Sequence, residues 1–228
     1  MPKLKILSIA AVFIILLGYV FVSAAELPKW FPFKKKDSLN EWEEKIFKGR
    51  VLYSVKATKT DGYLSAISKN AASGIFYRIR FNPKKTPLVS WKWKVVKFPE
   101  ASKVKLVVDS EWIEKDDYAA RFYVIFPKLA FNLTKTLEYV WDKQVPKGTI
   151  LTSPYYKNIK IIVLESGREH INRWVLEKRN IYDDFKQAFG LEPGEAGAIA
   201  IMTDTDDTAS TAEAYYDEIR VGYKNGTE

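Results

Sequence analysis

The sequence contains no cysteine, a single histidine at position 170, and one short stretch with clear helical spacing in 228 residues. Without cysteine there is no disulfide, no thiol nucleophile and no zinc–thiolate site, so the core is held by packing alone. With one histidine, a Ser-His-Asp triad has only His170 to draw on, and zinc would need carboxylates for nearly all of its ligands. Both chemistries are disfavoured. Repeats and low-complexity blocks are also missing, as is the regular alternation of strand and long helix that marks a parallel α/β sheet.

What is present is apolar and aromatic. Hydrophobic residues make up 47% of the chain and aromatic residues 14%, enough for a single well-filled core. The amino terminus carries Lys3 and Lys5, an uncharged apolar run from Ile6 to Val22, and then Ser23, Ala24 and Ala25. That order is the order of a secretory signal, with cleavage expected after Ala24 or Ala25. An uncleaved anchor is the alternative, because the run lies at the short end of what spans a bilayer. The net charge of +8 falls to +6 once Lys3 and Lys5 leave with residues 1–25. The expected location is therefore the periplasm or cell envelope, and the basic excess points to an acidic glycan, wall polymer or lipid head group rather than nucleic acid. Residues 26–38, with Pro28, Pro32 and the Lys34 to Lys36 run, read as a basic tether able to touch a membrane surface. Leu39, Trp42, Ile46 and Phe47 follow at nearly helical spacing.

From Val51 onward the pattern turns to period two. VLYSVKAT, YLSAIS, GIFYRIRF, VSWKWKVV, KVKLVVDSEWI, YAARFYVIF, LEYVW, KIIVLES, RWVLEKRN, AIAIMTD and AYYDEIRVGY are short, rich in β-branched and aromatic residues, and bounded by turn formers. Only Ile181 to Phe189 has apolar spacing suited to a helix, with Gly190 as its carboxy-terminal cap. Many strands with one or two short helices predict a mainly β fold, an antiparallel β-sandwich of jelly-roll type, as a single domain over residues 39–223 with a tail at 224–228. Pattern alone leaves an immunoglobulin-like strand order open.

Candidate site residues come from the alternation. In SWKWKVV, Trp91 and Trp93 share a face, and in LEYVW Tyr139 and Trp141 do. Paired rings of this kind are either core or surfaces on which sugar rings stack. Arg121 sits on an otherwise apolar stripe with Tyr123 and Ile125 and so requires an anion, supplied by the aspartates or by Glu177. In RWVLEKRN, Glu177 and Arg179 share a face. Trp91, Trp93, Arg121, Tyr139, Trp141, Glu177 and Arg179 are thus the expected ligand-binding set. The TDTDDT segment crowds Asp204, Asp206 and Asp207 at a strand end, a donor set for Ca2+, although it lacks the glycine and glutamate of an EF-hand. The alternative for the segment is an acidic turn paired to arginines. Glycoside hydrolysis needs two carboxyl groups across a cleft, for which Asp117, Glu177 and Asp204 are candidates, while basic neighbours oppose the raised pKa of a general acid.

Taken in order, SWKWKV, DDYAARFYVIF, LEYVW, VLESG, WVLEKRNIYDDFKQAFG, IMTDTDDT and AYYDEI closely resemble the bacterial domain-of-unknown-function 3047 family, from about Leu39 to Val221. The resemblance implies an exported protein whose strands look like those of galactose-binding and related jelly-roll modules, and it brings no established catalytic residues. Asp207 stands where the family commonly has asparagine and Tyr216 where it commonly has glycine. Three readings follow. The first is a non-catalytic binding module for a glycan or other polar envelope ligand, with no required cofactor; the others are a polysaccharide-active hydrolase or lyase, and a structural envelope protein that binds another protein.

Overall fold

The computed structural model describes residues 27–100 and 116–226. The expected leader at 1–25 and the strand read in KVKLVVDSEWI lie outside these residues. In chain order the strands are β1 (Lys29–Phe31), β2 (Glu43–Lys48), β3 (Leu52–Ala57), β4 (Gly62–Lys69), β5 (Ala72–Phe81), β6 (Leu88–Lys97), β7 (Ala120–Phe126), β8 (Lys135–Asp142), β9 (Ile150–Thr152), β10 (Ile159–Ser166), β11 (Val175–Asn180), β12 (Ala196–Asp204) and β13 (Thr211–Tyr223). One α-helix, α1 (Ile181–Phe189), follows β11.

The strands form two sheets. One has the order β11-β6-β13-β4-β3, with β1 pairing along β13; the other has the order β2-β5-β12-β7-β8-β10-β9. Consecutive strands β4 to β7 alternate between the sheets, as do β11 to β13, which makes a jelly-roll type of sandwich. Alternation along each strand explains why the layers close. Trp91, Trp93 and Val95 of β6 face Phe122 and Val124 of β7 and Tyr139 and Trp141 of β8 in one buried cluster. Trp91 stacks on Phe122 with ring centroids 4.2 Å apart, and Trp93 meets Trp141 at 6.1 Å.

The second sheet is mixed rather than purely antiparallel, because β10 runs parallel to β8. Asp142 ends β8 by accepting hydrogen bonds from the backbone N–H groups of Gln144 and Val145. The chain then returns through β9, which pairs antiparallel with β10 on its far side. A β-bulge interrupts β10, whose partners run from Val163 opposite Val140 to Glu165 opposite Trp141.

The helix forms as the sequence predicts. Asn180 caps it by accepting from the N–H groups of Tyr182 and Asp183, and Gly190 ends it at φ +66°. Residues 39–47 do not form the helix that their nearly helical spacing suggests: a 3-10 turn at Lys36–Leu39 leads into β2, which pairs with the edge of β5. Edge pairing overrides the weak helical spacing here. The described part of the expected 26–38 tether, residues 27–38, is not free either. β1 pairs with Ile219 to Val221, and the buried Phe31 and Phe33 pack with Trp42 at centroid distances of 5.2 and 6.0 Å. A Cβ on Gly62 would lie 2.4 Å from the Phe33 carbonyl oxygen, so only glycine lets this segment lie against β4. Phe33→Ala is expected to destabilise the protein by about 3 kcal/mol in urea unfolding; a change within about 0.5 kcal/mol, as at a surface position, would restore the tether reading.

Candidate functional site

Two polar clusters break the apolar pattern of the sandwich. The first is built on β7. Phe122, Val124 and Phe126 point into the core, so Arg121 and Tyr123 project from the opposite face of the seven-stranded sheet. The Arg121 side chain is fully buried. Its Nε and Nη2 donate to the two carboxylate oxygens of Asp204 at 2.9 and 2.5 Å, and Nη1 donates to Glu138 Oε1 at 2.9 Å and Asp116 Oδ1 at 3.3 Å. Tyr123 donates its hydroxyl to Glu138 at 3.1 Å, and the guanidinium lies 4.7 Å from the Tyr118 ring centroid. Burial pushes the carboxyl groups of Asp116 and Asp204 well above their usual range and raises Glu138, against the opposing pull of Arg121. Three carboxylates thus share one guanidinium, and Glu138 Oε2 has no hydrogen-bond partner.

While bound to Arg121, Asp204 also borders a second acidic group. One oxygen from each of Asp117, Asp204 and Asp206 lies within 4.8 Å of the others. Asp117 accepts from the N–H groups of Asp207 at 3.3 Å and Thr208 at 2.7 Å, which shapes the turn after β12. Asp206 is 8% exposed, stands 4.0 Å from Lys48 Nζ, and is raised to about 6 by burial and by its neighbours Asp207 and Asp117. An all-oxygen donor set of this kind suits a hard divalent cation such as Ca2+ rather than zinc.

The second cluster lies under the edge strand β11. Pairing sets Val175 opposite Trp93, Glu177 opposite Trp91 and Arg179 opposite Val89, so Glu177 and Arg179 point inward with the tryptophans. Across the layer, the bulge in β10 brings Glu165 opposite Trp141, a common use of bulges to re-aim a side chain. Glu165 is held by Lys147 Nζ at 2.5 Å and by His170 Nδ1 at 3.0 Å, both reaching in from exposed positions. Arg179 forms two hydrogen bonds to Asp184 of α1, at 2.9 and 2.5 Å, and Asp184 also accepts from the Tyr139 hydroxyl at 2.7 Å. Glu177 has none of these partners. Burial first, then the charge of Glu165, raise it to about 7. The Trp93 N–H leans toward its carboxylate without closing a hydrogen bond, and Glu177 Oε1, Trp91 Nε1 and Trp93 Nε1 are all buried and unpartnered.

A family model described as "Protein of unknown function (DUF3047)" matches residues 40–220. The chain belongs to the DUF3047 family. No curated protein matches it. Among solved structures it is similar to the family 11 carbohydrate-binding module of Lic26A-Cel5E from Clostridium thermocellum, at 11% identity and a TM-score of 0.42, covering 81% of this chain and 88% of that one. A Cel12A cellulase derived from Rhodothermus marinus is similar at 9% identity and TM-score 0.45, over 78% and 94% of the two chains. The xyloglucanase domain of NopAA from Sinorhizobium fredii is similar at 8% identity and TM-score 0.46, over 80% and 91%.

In this DUF3047 chain the residues expected as stacking surfaces are core. Trp91, Trp93, Tyr139 and Trp141 are each 0% exposed, because their shared faces turn toward the opposite sheet. Arg121 is answered by aspartates and Glu138, and Glu177 and Arg179 lie in the other cluster, so the expected set does not converge on one cleft. Asp207 leaves the expected cation set: its carboxylate accepts from the Tyr155 hydroxyl at 2.9 Å, and Asp117 stands in its place. Glu165, Lys147, His170 and Asp184 were not anticipated. Asp184 is the one with a legible signal, since it shares a helix face with the buried Ile181 and Phe185. The bulge that turns Glu165 inward leaves no mark in the sequence.

Glu177 has a folded pKa of about 7 against an ordinary value of 4.5. The folded protein binds the proton more tightly than the unfolded chain, so the parent loses stability as pH rises from 4.5 through 7. Glu177→Gln escapes this loss and is expected to be the more stable form at pH 8, by roughly 1–3 kcal/mol, with the gap closing at pH 4. Urea unfolding at the two pH values measures it, and a pH-independent difference would show that Glu177 is not desolvated as described.

Proposed function

We propose that this protein is a non-catalytic module of the cell envelope that binds a glycan or another hydroxyl-rich polar ligand under the β11 edge. The observation that carries this reading is the set of three unpartnered buried atoms, Glu177 Oε1 and the indole N–H groups of Trp91 and Trp93. Each such atom costs about 1–3 kcal/mol when left unsatisfied. A sugar hydroxyl both donates and accepts, so one ligand group can answer the carboxylate and an indole together. Arg179, Lys147 and His170 add polar groups around them. Export through the residue 1–25 leader belongs to the same proposal.

A hydrolytic reading is favoured by one further observation. Glu165 is paired with Lys147 and His170 while the nearby Glu177 has no such partner and is raised to about 7, and such opposed environments suit a base and an acid. Release of reducing ends from an oligosaccharide, abolished in Glu165→Gln, would convert the binding module into an enzyme.

The direct test is thermal unfolding of the purified protein with a panel of neutral and acidic oligosaccharides. A ligand present at 100 times its dissociation constant stabilises by about 2.7 kcal/mol, a rise of a few degrees that Arg179→Ala should remove. No shift with any sugar would overturn the glycan reading. We further propose that Asp117, Asp204 and Asp206 hold a structural calcium ion. Millimolar calcium is expected to raise the unfolding midpoint, EDTA to reverse the rise, and Asp206→Asn to be indifferent to both; an unchanged midpoint in the parent would leave the acids as a metal-free cluster.

A further inference from the structure

The outward face of the six-stranded sheet carries an arrangement that the β11 cleft does not use. β13 places Tyr215 directly between Lys94 of β6 and Ser65 of β4, and Ser65 is opposite Ser54 of β3. Trp174, immediately before β11 and 40% exposed, extends the row beyond Lys94. Tyr63 of β4 completes it, with its ring 4.6 Å from that of Tyr215 and 5.9 Å from that of Trp174. The row crosses five strands, so it spans roughly 19 Å at the usual inter-strand spacing.

The centre of this row is a cation without an anion. Lys94 Nζ lies 4.8 Å from the Tyr215 ring centroid, 5.1 Å from that of Trp174 and 6.0 Å from that of Tyr63. Among the described residues it has no carboxylate partner, whereas its neighbour Lys92 pairs with Glu218 at 3.2 Å. Three rings hold an ammonium by their negative faces, a modest attraction that leaves its full charge available to a ligand. Beside it, Ser54 Oγ, Ser65 Oγ and Asp217 Oδ1 are buried and have no hydrogen-bond partner. Asp217 is 8% exposed and sits opposite Lys92 on the same face.

We propose that this face is a second binding surface and that its ligand is an extended glycan containing uronate residues. A uronate sugar offers what the row lacks: an apolar C–H face for Trp174 and Tyr215, a carboxylate for Lys94, and hydroxyls for the serines and Asp217. The wider charge distribution agrees with an anionic partner. Of the buried charged residues among those described, ten are acids and one, Arg121, is a base, so the described cations of this basic chain are concentrated on its surface. A neutral glycan would leave Lys94 unanswered.

The experiment is calorimetric titration of the purified protein with tetragalacturonate, and with cellotetraose as a neutral comparator of similar length. Binding of tetragalacturonate is expected, at least tenfold tighter than cellotetraose and weakening as salt rises from 50 to 500 mM. Lys94→Met is expected to abolish the preference, Lys94→Arg to retain most of it, and Trp174→Ala to weaken binding at least tenfold, each with an unfolding midpoint close to the parent's. Glu177→Gln should leave this binding unchanged, which separates this surface from the β11 cleft. Equal affinity for the two tetrasaccharides, an undiminished preference in Lys94→Met, or absence of tetragalacturonate binding would each overturn the proposal. Loss of binding in Glu177→Gln alone would assign the uronate to the cleft and overturn it as well.

Discussion

Four separate stretches of chain meet at the Arg121 guanidinium: the approach to β7 through Asp116, β7 itself through Tyr123, β8 through Glu138, and the end of β12 through Asp204. Taking a guanidinium and three carboxylates out of water carries a penalty of several kcal/mol for each ion, returned only when the geometry is close and the hydrogen bonds are many. The network therefore adds little as a source of net stability, yet it strongly disfavours any register in which one partner is missing. It sets which residues of β7, β8 and β12 stand side by side, and with them the inward phase of Phe122, Tyr139 and Ile201. Alternation then places everything on the other side of those strands.

That phase decides what the aromatic residues can do. Because β6 and β8 turn Trp91, Trp93, Tyr139 and Trp141 toward one another, the rings fill the space between the sheets and none is presented to solvent. β11 is the last strand of its sheet, while β8, β10 and β9 continue the other sheet beneath it. An inward residue on such an edge meets a layer that is only partly closed. Glu177 and Arg179 can be tolerated there, where the same residues in the middle of β6 would be buried without relief. The buried polar cluster is a consequence of two sheets ending at different places.

Much of this was legible in the sequence. Period-two alternation in GIFYRIRF, SWKWKVV, ARFYVIF and AIAIMTD was strong because one face of each strand is buried and a one-residue slip would expose it. The helix was legible because Asn180 and Gly190 bracket a clear 3.6-residue pattern. What stayed hidden depends on partners distant in the chain. The direction of β10 follows from β9, three residues long and without a strong pattern of its own. β1 and β2 form because β13 and β5 offer them hydrogen-bonding edges, and no local propensity reports that. The tryptophans were ambiguous for the same reason: spacing shows which rings share a face, while burial depends on what the opposite sheet brings to it. Arg121 was easier to read, since a cation on an apolar stripe demands an anion and only a few acids were in reach.

The fold takes part of its negative charge inside, while its only buried cation among the described residues is Arg121. Among the described residues ten acids are buried, around Arg121, at Glu165 and Glu177 and in the turn after β12 among other places, and burial raises several of them toward protonation. A protonated buried acid contributes nothing to the outer field, and an ionised one is partly screened by the guanidinium or ammonium beside it. The long lysine side chains, by contrast, keep their heads in water over apolar stems. The buried acids accordingly weigh less on the outer field than their share of the formal net charge of +8 implies. Such a field draws anionic polymers toward the protein over about a Debye length, close to 8 Å at physiological ionic strength. Attraction at that range carries no specificity, so on the proposed surface discrimination would fall to short-range features: the rings around Lys94, the serine hydroxyls without partners, and Lys94 itself.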